Sequence, residues 1–226
     1  MKKLNKLSVL LLCCLGMFSM SSCLNSDDDG GIDPQLYETY LTNISGLYYG
    51  TGTDWRHQNK IYFYNDTITA DTPSEKVDSV GGITVAFMKN DSSFVVDNVP
   101  GRVLAKEITD DKYKDLKAAI EDGPTQTLRG KFYFTNISQY AYFLVYPSTV
   151  EYKDLAYGGE THDVVIDFWT PVATGIYGYV GGKQVVNLTL YLAALYIDGK
   201  KAFDIYNGTD VGVEQMKAQL LISAAR

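Results

Sequence analysis

Residue types that carry chemistry are thinly spread in this sequence. Its two histidines are His57, in TDWRHQNK, and His162, at the head of HDVVIDFW. Neither has a second histidine at metal-ligand spacing or an H-E-x-x-H frame. A Ser–His–Asp triad would assemble only in the fold, and no G-x-S-x-G elbow marks a nucleophile. His162 shares strand parity with Val164, Ile166 and Phe168, which places it at the edge of a core. The glycines of GTGTD lack the helix and lysine of a phosphate-binding loop. SDDDGGID is rich in oxygen ligands but lacks the spacing and closing glutamate of a calcium loop. No catalytic residue, metal ligand or cofactor is assigned, and the chain is read as non-catalytic.

Binding chemistry is better represented. In DVVIDFW, Val164, Ile166 and Phe168 share one side of a strand, leaving Asp167 and Trp169 on the other. In VVNLTLYL, Val186, Leu188, Leu190 and Leu192 leave Asn187, Thr189 and Tyr191 opposite. GIYGYV presents Tyr177 and Tyr179 at the same spacing. If these runs form a consecutive antiparallel meander, the second set lies together on the face away from the core. Planar rings beside amide, hydroxyl and carboxylate groups stack on sugars and hydrogen-bond their hydroxyls. Tyrosine also suits exposed strands in general, and Trp169 can equally cover a sheet edge. Trp55, in its polar stretch, is the next aromatic in line.

The elements that must position these residues are mostly strands. The chain holds 18 tyrosines and 9 phenylalanines, types that pack well on a pleated surface. DPQLYETYL reads as a short helix with Asp33 as cap and Pro34 at its first position. TDDKYKDLKAAIEDGP reads as a second helix, capped by Thr109 and stopped by Gly123 and Pro124. ND at 90–91, GG at 181–182 and DG at 198–199 are hairpin signals. MKAQLLISA alternates at period two and reads as a closing strand, with a terminal helix as the alternative. PGRVLAKEI from Pro100 and PSTVEYKDL from Pro147 share P-x-x-V-x-x-K-[ED]-[IL], each after a hairpin pattern, which suits two related halves of one domain. The expected fold is mainly β: an antiparallel β-sandwich or barrel with one N-terminal and one mid-chain helix.

The N-terminus gives an address. Lys2, Lys3 and Lys6 precede the apolar run LSVLLLCCLGMF and then small residues up to Cys23. That order makes residues 1–22 a secretory signal, too short in its apolar part to span a bilayer. SMSSC resembles a bacterial lipobox, with Met20 where leucine is usual. The resemblance implies that Cys23 is lipidated and becomes the new N-terminus. Residues 23–33 then form a flexible acidic tether, and residues 34–226 a single β-rich domain. Ser26, Asp27, Asp28 and Asp29 resemble the export signal of Bacteroidota surface lipoproteins, which implies the outer face of the outer membrane. SGLYYGTGT and the meander after it resemble lipocalin-like and other uncharacterised Bacteroidota lipoproteins. DTI at 66–68 and DSV at 78–80 resemble the O-glycosylation motif of exported proteins of that group. Thr67 and Ser79, both read in polar connections, would be the acceptors.

Composition narrows the partners. Cys13 and Cys14 leave with the signal and Cys23 carries lipid, so the mature domain has no thiol chemistry. The formal net charge is −7, and loss of the three signal lysines makes it more negative. Such a chain repels phosphate backbones, so nucleic acid is not an expected partner. Three functions remain: a surface binding module for glycans, a lipocalin-like carrier of an apolar ligand, and a structural or adhesive surface subunit. A carrier needs an unfilled barrel, an adhesive subunit an open edge strand, and a glycan binder an exposed aromatic surface with polar neighbours.

Overall fold

Asp33 and Pro34 start the first helix as their types demand. In the computed structural model, which describes residues 31–50, 58–64, 78–170, 173–205 and 219–226, helix α1 spans Pro34–Ile44. Asp33 Oδ1 accepts from the backbone N–H of Gln35 at 2.8 Å and of Leu36 at 2.9 Å. Pro34 occupies the first turn, where its missing amide costs nothing. Cys23, Ser26, Asp27, Asp28, Asp29, Trp55, His57 and Thr67 lie outside the described residues.

Strands dominate the rest. They are β1 (Gly46–Tyr48), β2 (Lys60–Tyr64), β3 (Asp78–Gly81), β4 (Thr84–Met88), β5 (Ser93–Val99), β6 (Gln126–Ile137), β7 (Ala141–Pro147), β8 (Val150–Tyr157), β9 (Glu160–Phe168), β10 (Thr174–Val180), β11 (Lys183–Ile197), β12 (Lys200–Asp204) and β13 (Gln219–Ala225). All pair antiparallel in one sheet ordered β1-β4-β5-β6-β7-β10-β11-β13-β2-β3. The sheet curls into a half-barrel. Asp198 and Gly199, both at positive φ, turn β11 into β12, and Gly181 and Gly182 do the same between β10 and β11.

The inner face is filled with rings. Phe132 lies 5.1 Å from Phe87 and 5.5 Å from Phe143, and Phe134 lies 5.8 Å from Phe143, all edge to face. Two glycines make room for them. A Cβ on Gly175 would fall 2.1 Å from the Phe143 ring, and one on Gly130 would fall 2.5 Å from Phe94. Helix α1 packs on this face too: Leu41 and Ile44 are buried in the core, and Tyr37 and Tyr40 meet Phe134 edge-on.

Strand β11 is the spine. Its residues 185–191 pair with β13 while its opposite neighbour is β10; beyond a register shift near Leu192 it pairs with β9 and β12. Strands β9 and β10 therefore follow one another along β11. The expected side-by-side meander of β9, β10 and β11 does not form, because β10 takes β7 as its other neighbour and β9 takes β8.

The mid-chain helix is shorter than its sequence pattern. A 3-10 turn at Asp111–Tyr113 leads into α3 (Lys114–Glu121), preceded in the chain by the single-turn α2 (Gly101–Leu104). The cap is Asp110, whose carboxylate accepts from the Lys112 N–H at 3.0 Å, in place of Thr109. The two related sequence segments fold differently: the one from Pro100 forms α2, and the one from Pro147 enters β8.

Where β1 and β3 fail to pair, a side chain joins the sheet. The buried Asn59 amide donates to Tyr48 O at 2.7 Å and Ile83 O at 3.2 Å, and its Oδ1 accepts from the Ala225 N–H at 2.9 Å. One residue thus satisfies three backbone groups, on β1, in the β3–β4 connection and on β13.

Candidate binding face

The outer face of the sheet divides into two halves. On β10, β11, β13 and β2, the outward residues Ile176, Thr189, Tyr191, Leu221 and Tyr62 are buried. On β1, β4, β5, β6 and β7, burial alternates along most of each strand, and the outward residues are exposed or half-exposed. Cross-strand register makes the second half contiguous. One row runs Leu47–Ala86–Val95–Arg129, the next Met88–Ser93–Lys131–Tyr146, and a third pairs Tyr133 with Leu144. At strand spacing this face is about 19 Å wide.

Its aromatic centre is a pair of tyrosines. Tyr133 is 49% exposed and Tyr146 42%, with ring centroids 5.7 Å apart and planes at 73°. Tyr146 stands directly opposite Lys131, and Tyr133 is its diagonal neighbour. Lys131 Nζ is clasped by Asp91 at 2.7 Å and by the Asp91 carbonyl at 2.8 Å. Hydrogen bonds from Lys131 and from Ser93 hold the Asp91 carboxyl below the usual carboxylate range. Thr127 donates to Asp97 at 2.8 Å. Arg129, exposed on the same face, offers its guanidinium no partner among the described residues.

The residues picked out by strand parity are dispersed. Tyr177 is inward-facing and fully buried, with its hydroxyl donating to Asn43 O at 3.2 Å. Burial lifts its pKa well above the usual tyrosine range. Tyr191 faces outward but is 6% exposed. Asn187 is half-buried, and its enclosed Oδ1 has no hydrogen-bond partner among the described residues. Asp167 turns back to accept from the neighbouring Phe168 N–H at 2.9 Å. Trp169 is half-buried just past the end of β9. Tyr179 alone of this set is well exposed, at the end of β10, where its hydroxyl accepts from Gln184 Nε2 at 3.0 Å. These six residues do not form one surface. Ser79, expected in a connection, sits half-buried within β3, because its run completes the pairing of β2.

A matching family model covers residues 43–197. The chain belongs to the DUF4840 family, a domain of unknown function. No curated protein and no solved structure matches it. The matched span of the DUF4840 domain runs from just before β1 to the end of β11, so it holds every strand of the exposed face. Strands β12 and β13 lie beyond that span but pair with β11.

His162 of the DUF4840 domain sits at the edge of the core, as its parity suggests, and has a partner that parity could not name. Its Nδ1 lies 2.8 Å from Asp198 Oδ2, and its ring is tilted over Tyr157 at 4.5 Å. Asp198 Oδ1 also accepts from the Asp163 N–H at 3.0 Å. Its hydrogen bond with His162 holds the Asp198 carboxyl below its ordinary range. The arrangement clasps the β8–β9 hairpin to the β11–β12 turn. Among the described residues no group of three or more histidine, cysteine, aspartate or glutamate side chains could hold a metal ion.

Parity reasoning applied to other strands finds the exposed pair. In KFYFT, Phe132 and Phe134 point inward and leave Tyr133 outside; in AYFLVY, Ala141, Phe143 and Val145 leave Tyr142, Leu144 and Tyr146 outside. The signal was present at β6 and β7. What selects those strands over β11 is that their outer face is uncovered, which local sequence does not carry.

Proposed function

We propose that this chain is a lipid-anchored lipoprotein on the outer face of the outer membrane, acting there as a non-catalytic binding module for glycans. The observation that carries the reading is the contiguous exposed face centred on Tyr133 and Tyr146. Exposed rings with polar and charged neighbours suit the apolar faces and hydroxyl rims of sugars. The carrier reading has less support, because the inner face is packed with phenylalanine rings and α1. The adhesive reading has less support too, because the edges are poor templates: β1 and β3 are very short, and β8 carries Glu151, Lys153 and Asp154.

Affinity electrophoresis of residues 23–226 against a polysaccharide panel tests the reading. Wild type is expected to be retarded by at least one polymer, and Tyr133→Ala and Tyr146→Ala to lose most of that retardation. Tyr179→Ala, exposed at the end of β10 away from the tyrosine pair, serves as the control. Retardation by no polymer would reject the function, and loss in Tyr179→Ala alone would reject the site.

A further inference from the structure

We infer that the occupant of this face is an acidic polysaccharide, whose anionic substituents meet Arg129 while its sugar rings stack on Tyr146 and Tyr133. This rests on the glycan reading and adds the charge class of the ligand. Arg129 lies two residues before Lys131 on β6, so the two share a face, and Lys131 is directly opposite Tyr146. Arg129 is therefore the diagonal neighbour of Tyr146, about 7–8 Å away between backbones and within reach of a long side chain. A carboxylate or sulfate on a sugar stacked against Tyr146 comes within reach of that guanidinium.

Local hydrogen bonding singles out the same residue. Lys131 is ion-paired with Asp91, and Asp97 accepts from Thr127 and keeps its negative charge. The contact is therefore a local one at Arg129, made against the long-range repulsion of a chain whose net charge is −7. Arg129 is the cation on this face whose donors are unused by any described residue. Its planar fork binds a carboxylate or sulfate through two parallel hydrogen bonds, a geometry a neutral hydroxyl cannot match. The 73° angle between the tyrosine rings also argues against a flat platform for packed, crystalline polymer. A soluble chain, able to turn successive rings against each tyrosine, fits this wedge.

The test compares binding of residues 23–226 to polygalacturonate, chondroitin sulfate and neutral dextran and xylan by affinity electrophoresis and calorimetry. Wild type is expected to bind one of the two acidic polymers in preference to the neutral ones. Arg129→Gln should weaken that binding about tenfold, and Arg129→Lys should restore part of it. Preference for polygalacturonate identifies carboxylate as the recognised group, and preference for chondroitin sulfate identifies the sulfate ester. Binding to neutral polymers that is lost in Tyr146→Ala but unchanged in Arg129→Gln would overturn the charge class and leave the glycan function standing. Acidic-polymer binding unchanged in Arg129→Gln would overturn the role of Arg129. Binding to none of the four, with none elsewhere in the wider panel, would remove both readings.

Discussion

Arg226 donates through Nη1 to the carbonyl oxygen of Ser45 at 2.8 Å, so the residue after β13 closes the C-terminal end of α1. Its Nη2 donates to Asn43 O at 2.6 Å, its Nε to the Gln184 side chain, and the guanidinium lies 4.7 Å from the centre of the Tyr48 ring. The cation faces carbonyls that carry the negative end of the helix dipole. Arg226→Ala is expected to destabilise the domain by about 2 kcal/mol, read from the urea midpoint at unchanged slope. A change within error would mean that the apolar and aromatic contacts of α1 hold it without the guanidinium.

The Asn59 seam predicts a larger effect. Asn59→Leu fills the same space but strands two carbonyls and one N–H that are otherwise bonded by this side chain. The expected loss is about 3 kcal/mol, since each buried backbone group left bare costs about 1 kcal/mol or more. A leucine variant as stable as wild type would show that water reaches the seam.

Asp198 makes stability depend on acid. The folded state keeps its carboxyl ionised to lower pH than the unfolded chain does, chiefly through His162. The unfolded chain then binds more protons as pH falls, so this contribution is complete above about pH 4 and disappears as pH drops through the depressed value. Asp198→Asn is expected to flatten the fall of the urea midpoint on the acid side. Asp91 and Asp163 act with the same sign, so the slope should shrink without vanishing. An unaltered slope would place the His162 contact outside the folded ensemble.

The proposed anchor has its own test. Cys23→Ala is expected to abolish labelling by palmitate, and replacing Asp27, Asp28 and Asp29 with alanine to protect the protein from protease added to intact cells. Continued labelling of the first variant would reject the lipid, and unchanged digestion of the second would reject the export signal.

Local rules were legible where local physics decides. Asp33 and Pro34 fixed the start of α1, the GG and DG pairs fixed two hairpins, and period-two alternation at Leu220, Ile222 and Ala224 identified β13. Partnering was not legible. Tyr177 and Tyr133 sit in similar tyrosine-rich strands, yet one is buried and the other exposed. Tyr177 points inward because Gly175 and Tyr177 take the core side of β10, against Leu188 and Val186. That choice depends on the register between β10 and β11. Strand β8 carries a shorter signal: its alternation runs only from Val150 to Lys153 before Asp154, at positive φ, shifts the register.

The charges on β8 make the last prediction. Strand β8 pairs only with β9, so its other side offers unpaired backbone groups to any strand that approaches. Three features oppose such pairing. Glu151 and Lys153 stand exposed along it, Asp154 sits at φ 51°, and the register shifts between Tyr152 and Leu155. Charge imposes desolvation on an incoming strand, and the irregularity twists the edge away from a flat pairing surface. Replacing Glu151 and Lys153 together with isoleucine removes the first obstacle and raises strand propensity. It also removes the Lys153–Asp163 ion pair at 3.1 Å, which is exposed and contributes little. The double variant is expected to stay folded and to associate with rising concentration in size-exclusion chromatography, while wild type elutes at a constant position. Adding Asp154→Gly, which relaxes the left-handed residue without flattening the irregularity, should not increase association further. A double variant that elutes as wild type does would assign the protection to the register shift rather than to charge.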